Sequence, residues 1–387
     1  MALLALLTTS CAGAGPSTSP TSGSATDTAG ASTTPPASSA SPGVWKLLPP
    51  APLTTPVFGV TAAWDGKEVF LTGRVCPGSA SAFTETVAYN PVTGAWRKLP
   101  AFPGPKACVE GQDNAFWDGT ELLLIGVTNA AYTPSTNTWR KLPPGGRGSN
   151  AELTAWTGRQ TLGFGGGCCG EALAMVRSFT PGTGSWSDPP AGPLGGRQGV
   201  IGVWDGRQLI AVGGSREEPN GFQTFGDAAS YDPATGTWSH LAPLPAPRQD
   251  SPAVWDGTDM LVVGGERLGP QGPHRYPRGL SFDPSTDRWV PLPRMAYPRT
   301  GAAAVWTGSR MLVWGGGTIA SGGKVAPPHG EAFDPATDRW SALPMSPLQG
   351  RDTPVAVWTG SQMFVWGGAT PGGTFLYDGA VYTPGTP

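Results

Sequence analysis

Sixteen tryptophans fall into one repeating register along this 387-residue chain. Seven open the triplet Trp-(Asp/Thr)-Gly, at Trp64, Trp117, Trp156, Trp204, Trp255, Trp306 and Trp358. Seven more stand at Trp45, Trp96, Trp139, Trp186, Trp238, Trp289 and Trp340, spaced 43 to 52 residues apart. The last two, Trp314 and Trp366, both sit in Val-Trp-Gly-Gly. A third signature, (Tyr/Phe)-x-Pro, starts at Tyr89, Tyr132, Phe179, Tyr231, Phe282, Phe333 and Tyr382. A fixed period of this size means one supersecondary unit repeated, each copy burying its apolar face against the next.

Each signature has a local reading. Asp-Gly after alternating apolar residues marks a tight hairpin, because the turn needs positive φ. Trp64-Asp65-Gly66 therefore ends one strand and begins another. The next strand is apolar and ends in paired glycines in five repeats: Gly165-Gly166, Gly213-Gly214, Gly264-Gly265, Gly315-Gly316 and Gly367-Gly368. Paired glycines at a strand end allow close backbone approach. The first two repeats depart from this, with Gly73-Arg74 and Gly126-Val127. A third strand runs into the aromatic-x-Pro-x-Thr turn. Its last position is Gly94, Asn137, Gly184, Gly236, Asp287 or Asp338, all residue types that tolerate the left-handed region. The outer Trp then opens a fourth strand.

Four short strands per repeat of this length predict a propeller blade. The combination of Gly-Gly, aromatic-x-Pro-x-Thr, spaced Trp, then Leu-Pro and Arg resembles the Kelch repeat, over residues 44–387. The resemblance implies an all-β, seven-bladed β-propeller. The seventh repeat stops at Tyr382-Thr383-Pro384 without its Trp strand, and the first begins with a surplus one, Val44–Leu47. The N-terminal strand is expected to complete the last blade, leaving no open sheet edge.

Residues 1–11 read as an apolar secretory segment ending at Cys11, the position a bacterial lipoprotein signal would lipidate. Residues 12–43 are almost entirely Ala, Gly, Ser, Thr and Pro, a composition too poor in apolar surface to fold, and read as a tether. The expected location is extracytoplasmic, lipid-anchored or secreted, with membrane contact only through the anchor. The net charge of −2 argues against nucleic acid, which needs a basic face. The chain is expected to be monomeric, without cofactor or metal.

Function is expected on one face, called the upper face here. It carries the links between strands two and three, longest at residues 215–228, 266–280 and 317–331. Arg197, Arg248, Arg299 and Arg351 each precede a blade's first Trp by seven residues. Val57, Glu110 and Ser149 hold the equivalent places in the other three blades. One reading converges these guanidiniums, with Glu110, on a mouth suited to a carboxylate. The other gives them to the repeat itself, bonded to backbone carbonyls or to Asp250 and Asp352. Cys76, Cys108, Cys168 and Cys169 also map to this face and would be oxidised in an exported protein, with the pairing open. The histidines are His240, His274 and His329, and no catalytic motif accompanies them. A binding module for a glycan or protein partner is the leading expectation. A sialic-acid-epimerase-like enzyme acting on acidic sugars is the alternative, and a copper oxidase ranks below both.

Overall fold

The computed structural model describes residues 43–385 except 55–56, 79–80, 103–112, 147–150, 167–173, 175, 220, 270–271 and 318–327; the side chains at 58, 76–78, 81 and 82 also lie outside the description. The described residues contain no helix, and seven four-stranded antiparallel meanders form a ring. The inner strands of the blades are Val57–Trp64, Asn114–Trp117, Leu153–Trp156, Ile201–Trp204, Ala253–Trp255, Thr300–Trp306 and Val355–Trp358. The outermost strand of the last blade is Val44–Leu47, paired with Gly379–Thr383, so the ring closes as the sequence predicts.

The core is divided among the seams. Seven apolar clusters each draw on two adjacent blades; one joins Phe70 and Ala88 of blade 1 to Leu122, Leu124 and Tyr132 of blade 2. Second strands such as Leu122–Ile125 and Leu209–Val212 are buried at every position, because a neighbouring blade covers each face. Continuous apolar runs rather than alternation follow from that. In the outer strands the Trp is half-buried and most other positions are exposed.

The signature residues join blade to blade. In all seven blades the outer Trp packs on the aromatic of the aromatic-x-Pro turn, with ring centroids 4.7–5.3 Å apart. Each indole Nε1 also donates to a carbonyl of the preceding blade: Trp45 to Pro344, Trp96 to Pro49, Trp139 to Pro100, Trp186 to Pro143, Trp238 to Pro190, Trp289 to Ala242 and Trp340 to Pro293. The lower-face hairpins are held by their own side chains; the Asp65 carboxylate accepts from the amides of Lys67 and Glu68 at 2.7 and 2.6 Å.

Candidate functional site

The upper face is built on the arginine series. The four side chains are 1%, 3%, 0% and 0% exposed at Arg197, Arg248, Arg299 and Arg351. They lie in the framework behind the mouth and do not form its wall. Each guanidinium donates to the carbonyl of the first paired glycine in its own blade: Gly213 (3.1 Å), Gly264 (3.2 Å), Gly315 (2.8 Å) and Gly367 (3.1 Å). Each arginine carbonyl accepts from the second paired glycine of the preceding blade, at Gly166, Gly214, Gly265 and Gly316, over 2.6–2.9 Å. The paired glycines take positive φ throughout. A Cβ on Gly264 would overlap the Arg299 carbonyl oxygen.

The same guanidiniums clamp the loop roots. Arg197 forms a two-armed pair with Asp227 (2.6 and 2.9 Å), Arg299 reaches Glu331 (3.3 Å), and Arg351 pairs with Asp378 (2.7 Å). These acids stand where the alternative reading put Asp250 and Asp352. Arg248 instead bonds the Gly264, Arg278 and Ala246 carbonyls and lies 4.2 Å over the Tyr276 ring. Burial lowers its pKa to about 10.

Two residues beyond each arginine the chain passes through positive φ: Gly199 (61°), Asp250 (52°), Gly301 (61°) and Thr353 (48°). Amides then step from blade to blade: Asp250 donates to Gly199 (3.2 Å), Gly301 to Asp250 (3.1 Å) and Thr353 to Gly301 (2.9 Å). Gly199 donates to the Glu152 carboxylate at 2.5 Å. This collar runs from blade 3 to blade 7 in front of the arginines. Sequence reasoning missed it. The signal was a small or turn-forming residue at Gly199, Asp250 and Gly301, fixed two places after Arg.

Above the collar runs a chain of interacting charges. Burial raises the Glu152 carboxyl, and the Asp250 charge adds to the effect. Burial also raises Asp250, to about 6, helped by the charge of Glu266 and opposed by a bond from Gln249. Glu266, 9% exposed, accepts from Arg275 Nε at 3.1 Å. Arg275 in turn acts on Asp352, whose pKa burial raises and Arg275 pulls down. Of these four carboxylates, Glu266 and Asp352 interact with the Arg275 guanidinium. The Arg275 side chain is 10% exposed. Its Nη1 and the Oδ1 of Asp352 are buried without a hydrogen-bond partner among the described residues.

The upper loops are structured in blades 4 and 5. Ser215–Glu218 pairs with Gly221–Thr224, and Glu266–Arg267 pairs with His274–Arg275. Blade 1 adds an extension not read from the sequence, with strands Val69–Gly78 and Ser81–Asn90 of 10 residues each. Cys76 lies in the first of these, its side chain outside the description; Cys11, Cys108, Glu110, Cys168 and Cys169 lie outside the described residues. His240 is on an outer strand, His274 is 5.0 Å from the Tyr276 ring, and His329 is 5.2 Å from Tyr297. Among the described residues no three His, Cys, Asp or Glu side chains converge as a metal set.

No family model matches the chain. It is 25% identical over 360 residues to Kelch-like protein terF of Aspergillus terreus, covering 89% of this chain and 69% of that protein. Over 136 residues it is 30% identical to the Arabidopsis thaliana F-box/kelch-repeat protein At1g16250, covering 30% of this chain and 33% of that one. Over 175 residues it is 29% identical to the galactose oxidase of Gibberella zeae, covering 42% of this chain and 23% of the oxidase. The solved structure of YjhT aligns with a TM-score of 0.51 at 18% identity, covering 86% of this chain and 95% of that one.

Proposed function

We propose that this chain, a Kelch-repeat β-propeller, is an extracytoplasmic binding module that recognises a glycan at its upper mouth. The observation that supports this most is the pairing of a rigid frame with a linked set of charges. Buried arginines clamp the roots of the blade 4 to blade 7 loops, and Asp250, Glu266, Arg275 and Asp352 of the same face interact electrostatically. Polar groups held on a fixed scaffold are how proteins orient small polar ligands. Carboxylates accept hydrogen bonds from hydroxyls, which sugars supply in number.

An enzyme acting on acidic sugars fits this mouth less well. The guanidiniums that would receive a carboxylate are bonded internally, and the carboxylates above them repel one. A protein partner is the second reading. It draws on Phe222, 50% exposed at the tip of the blade 4 hairpin.

The test is glycan-array binding by the full chain, beside a variant in which the Ser215–Thr224 hairpin is cut to a two-residue turn. Glycan binding that the variant loses, at an unchanged melting temperature, is the expected result. An array with no bound glycan refutes the reading. The anchor is a separate part of the proposal: labelled palmitate is expected to be incorporated into the chain and lost in Cys11→Ser.

A further inference from the structure

We infer that a groove on the lower side of the seam between blades 6 and 7 binds a small amphiphilic carboxylate, held by Arg310 and the Tyr382 hydroxyl. The site is separate from the upper mouth and does not depend on the reading given to that face. The groove has a volume of about 1090 Å3. Its polar wall comes from the lower hairpins, with Ser309 and Arg310 on the blade 6 side and Ser361 on the blade 7 side. Its apolar wall comes from Leu343 and Pro344 of the outer strand Arg339–Met345, and from Trp358 at the end of the inner strand Val355–Trp358.

The seam between blades 1 and 2 shows what this one lacks. In blade 1 the fourth residue after the inner Trp is Glu68, and the residue after the outer Trp is Arg97. Arg97 spans that seam. Its Nε and Nη2 donate to the Glu68 carboxylate (3.0 and 2.6 Å), and its Nη1 donates to the Tyr132 hydroxyl of blade 2 (3.2 Å). In blade 6 the same two places hold Arg310 and Ser341, and blade 7 has Tyr382 where blade 2 has Tyr132. All three line the groove, and a serine is too short to bridge it. The charge at the first place is also reversed, from Glu68 to Arg310. The group that completes this seam is therefore an acceptor and not a guanidinium.

Both donors are available. Arg310 Nε is held by Asp334 Oδ2 at 3.2 Å, which orients the fork, and the side chain is 43% exposed. Its Nη groups make no hydrogen bond among the described residues. Asp334 lines the groove too and opposes an anion, but its two oxygens are engaged by Arg310 and by the Ala336 amide (3.0 Å). The Tyr382 hydroxyl has no hydrogen-bond partner among the described residues. Burial raises its pKa against the pull of Arg310, so it keeps its proton and can donate. A carboxylate is acceptor-only and matches the planar fork of an arginine. Leu343, Pro344 and Trp358 call for an apolar body behind that head, in a groove of small-molecule size.

The experiment is ligand-observed NMR titration of the full chain with phenylbutyrate and octanoate, each beside its alcohol, phenylbutanol or octanol. At least one acid is expected to bind about tenfold or more tightly than its alcohol, the scale of one hydrogen bond to a charged group. Tyr382→Phe and Arg310→Gln are each expected to weaken that acid about tenfold. Both variants borrow residues that other blades carry at the same places, Phe179 and Phe282 for the first, Gln160 and Gln208 for the second, so the fold is expected to hold. The double variant Arg310→Glu, Ser341→Arg rebuilds the blade 1 bridge and is expected to abolish binding at an unchanged melting temperature. An alcohol that binds as tightly as its acid overturns the inference, as does a panel in which no acid binds. Acid binding unchanged in both single variants overturns the assignment to these two residues. The glycan reading of the upper mouth stands or falls separately, on the array and the blade 4 hairpin variant.

Discussion

Arg351→Met separates a framework role from a ligand role for the arginine series. Arg351 is 0% exposed and donates to the carbonyls of Gln349 (3.1 Å), Gly367 (3.1 Å) and Asp378 (3.3 Å), and to the Asp378 carboxylate (2.7 and 3.3 Å). Methionine fills much of the space beside Trp314 and donates nothing. The Asp378 carboxylate is 54% exposed and Gln349 faces solvent, so both can turn to water. Gly367 is buried and its carbonyl loses its guanidinium donor, whereas the backbone carbonyl of exposed Asp378 keeps the Gly367 amide at 3.0 Å. At about 1–3 kcal/mol for one orphaned buried group, the loss comes to about 1–3 kcal/mol. With an unfolding entropy of about 2.1 cal/mol/K per residue over some 340 residues, that lowers Tm by about 1–4 °C. Arg248→Met should cost about half as much. Arg248 has no carboxylate partner, its bonds are longer at 3.2–3.5 Å, and a buried cation without a counter-ion recovers less of its desolvation cost. The assay is urea and thermal unfolding followed by tryptophan fluorescence. Two variants with unchanged stability and lost ligand would refute the framework argument. A larger loss at Arg248 than at Arg351 would refute the argument from counter-ions.

Gly264→Ala should cost about 3–5 kcal/mol, since it adds an overlap with the Arg299 carbonyl to left-handed strain. Gly257→Ala in the same blade, also at positive φ but with open space around it, should cost about 1–2 kcal/mol; equal melting points for the two would sink the contact argument. Trp289→Phe keeps an aromatic ring beside Phe282 and loses the 2.8 Å bond to the Ala242 carbonyl, for about 1–2 kcal/mol by denaturant titration. Asp250 has its folded pKa raised from 3.8 to about 6, so the folded state holds the proton more firmly. Its contribution to stability is present in full below about pH 4 and is lost as pH rises through about 6. Asp250→Asn, which tolerates the left-handed backbone, should melt above the parent at pH 8 and level with it near pH 4, in thermal scans across that range.

Much of this protein was legible in the chain because its determinants are local. A positive φ at Gly94, Asn137 or Asp287 admits few residue types, so the turn announces itself wherever it recurs. The outer Trp does two jobs in every blade, stacking on its aromatic and bonding the preceding blade, so its spacing marks each blade. The surplus strand at one end and the missing strand at the other sufficed for ring closure, since unpaired edges are unfavourable.

The candidate site was legible only in part. The arginine series was visible as a pattern, but its direction was not. Whether a guanidinium enters a mouth or turns back into the framework depends on where the carbonyls of Gly213, Gly264, Gly315 and Gly367 come to lie, 16 residues further along the chain. The acids that meet three of them, Asp227, Glu331 and Asp378, lie 27 to 32 residues away and follow no single spacing. The chain of charges from Glu152 through Asp250, Glu266 and Arg275 to Asp352 draws on three blades. The sequence by itself determined the blade, the number of blades and the closure, because steric limits on turns and the period of apolar burial act within one repeat. Tertiary structure alone decided which polar atoms are satisfied and which remain free, because that depends on groups brought together only when the ring has closed.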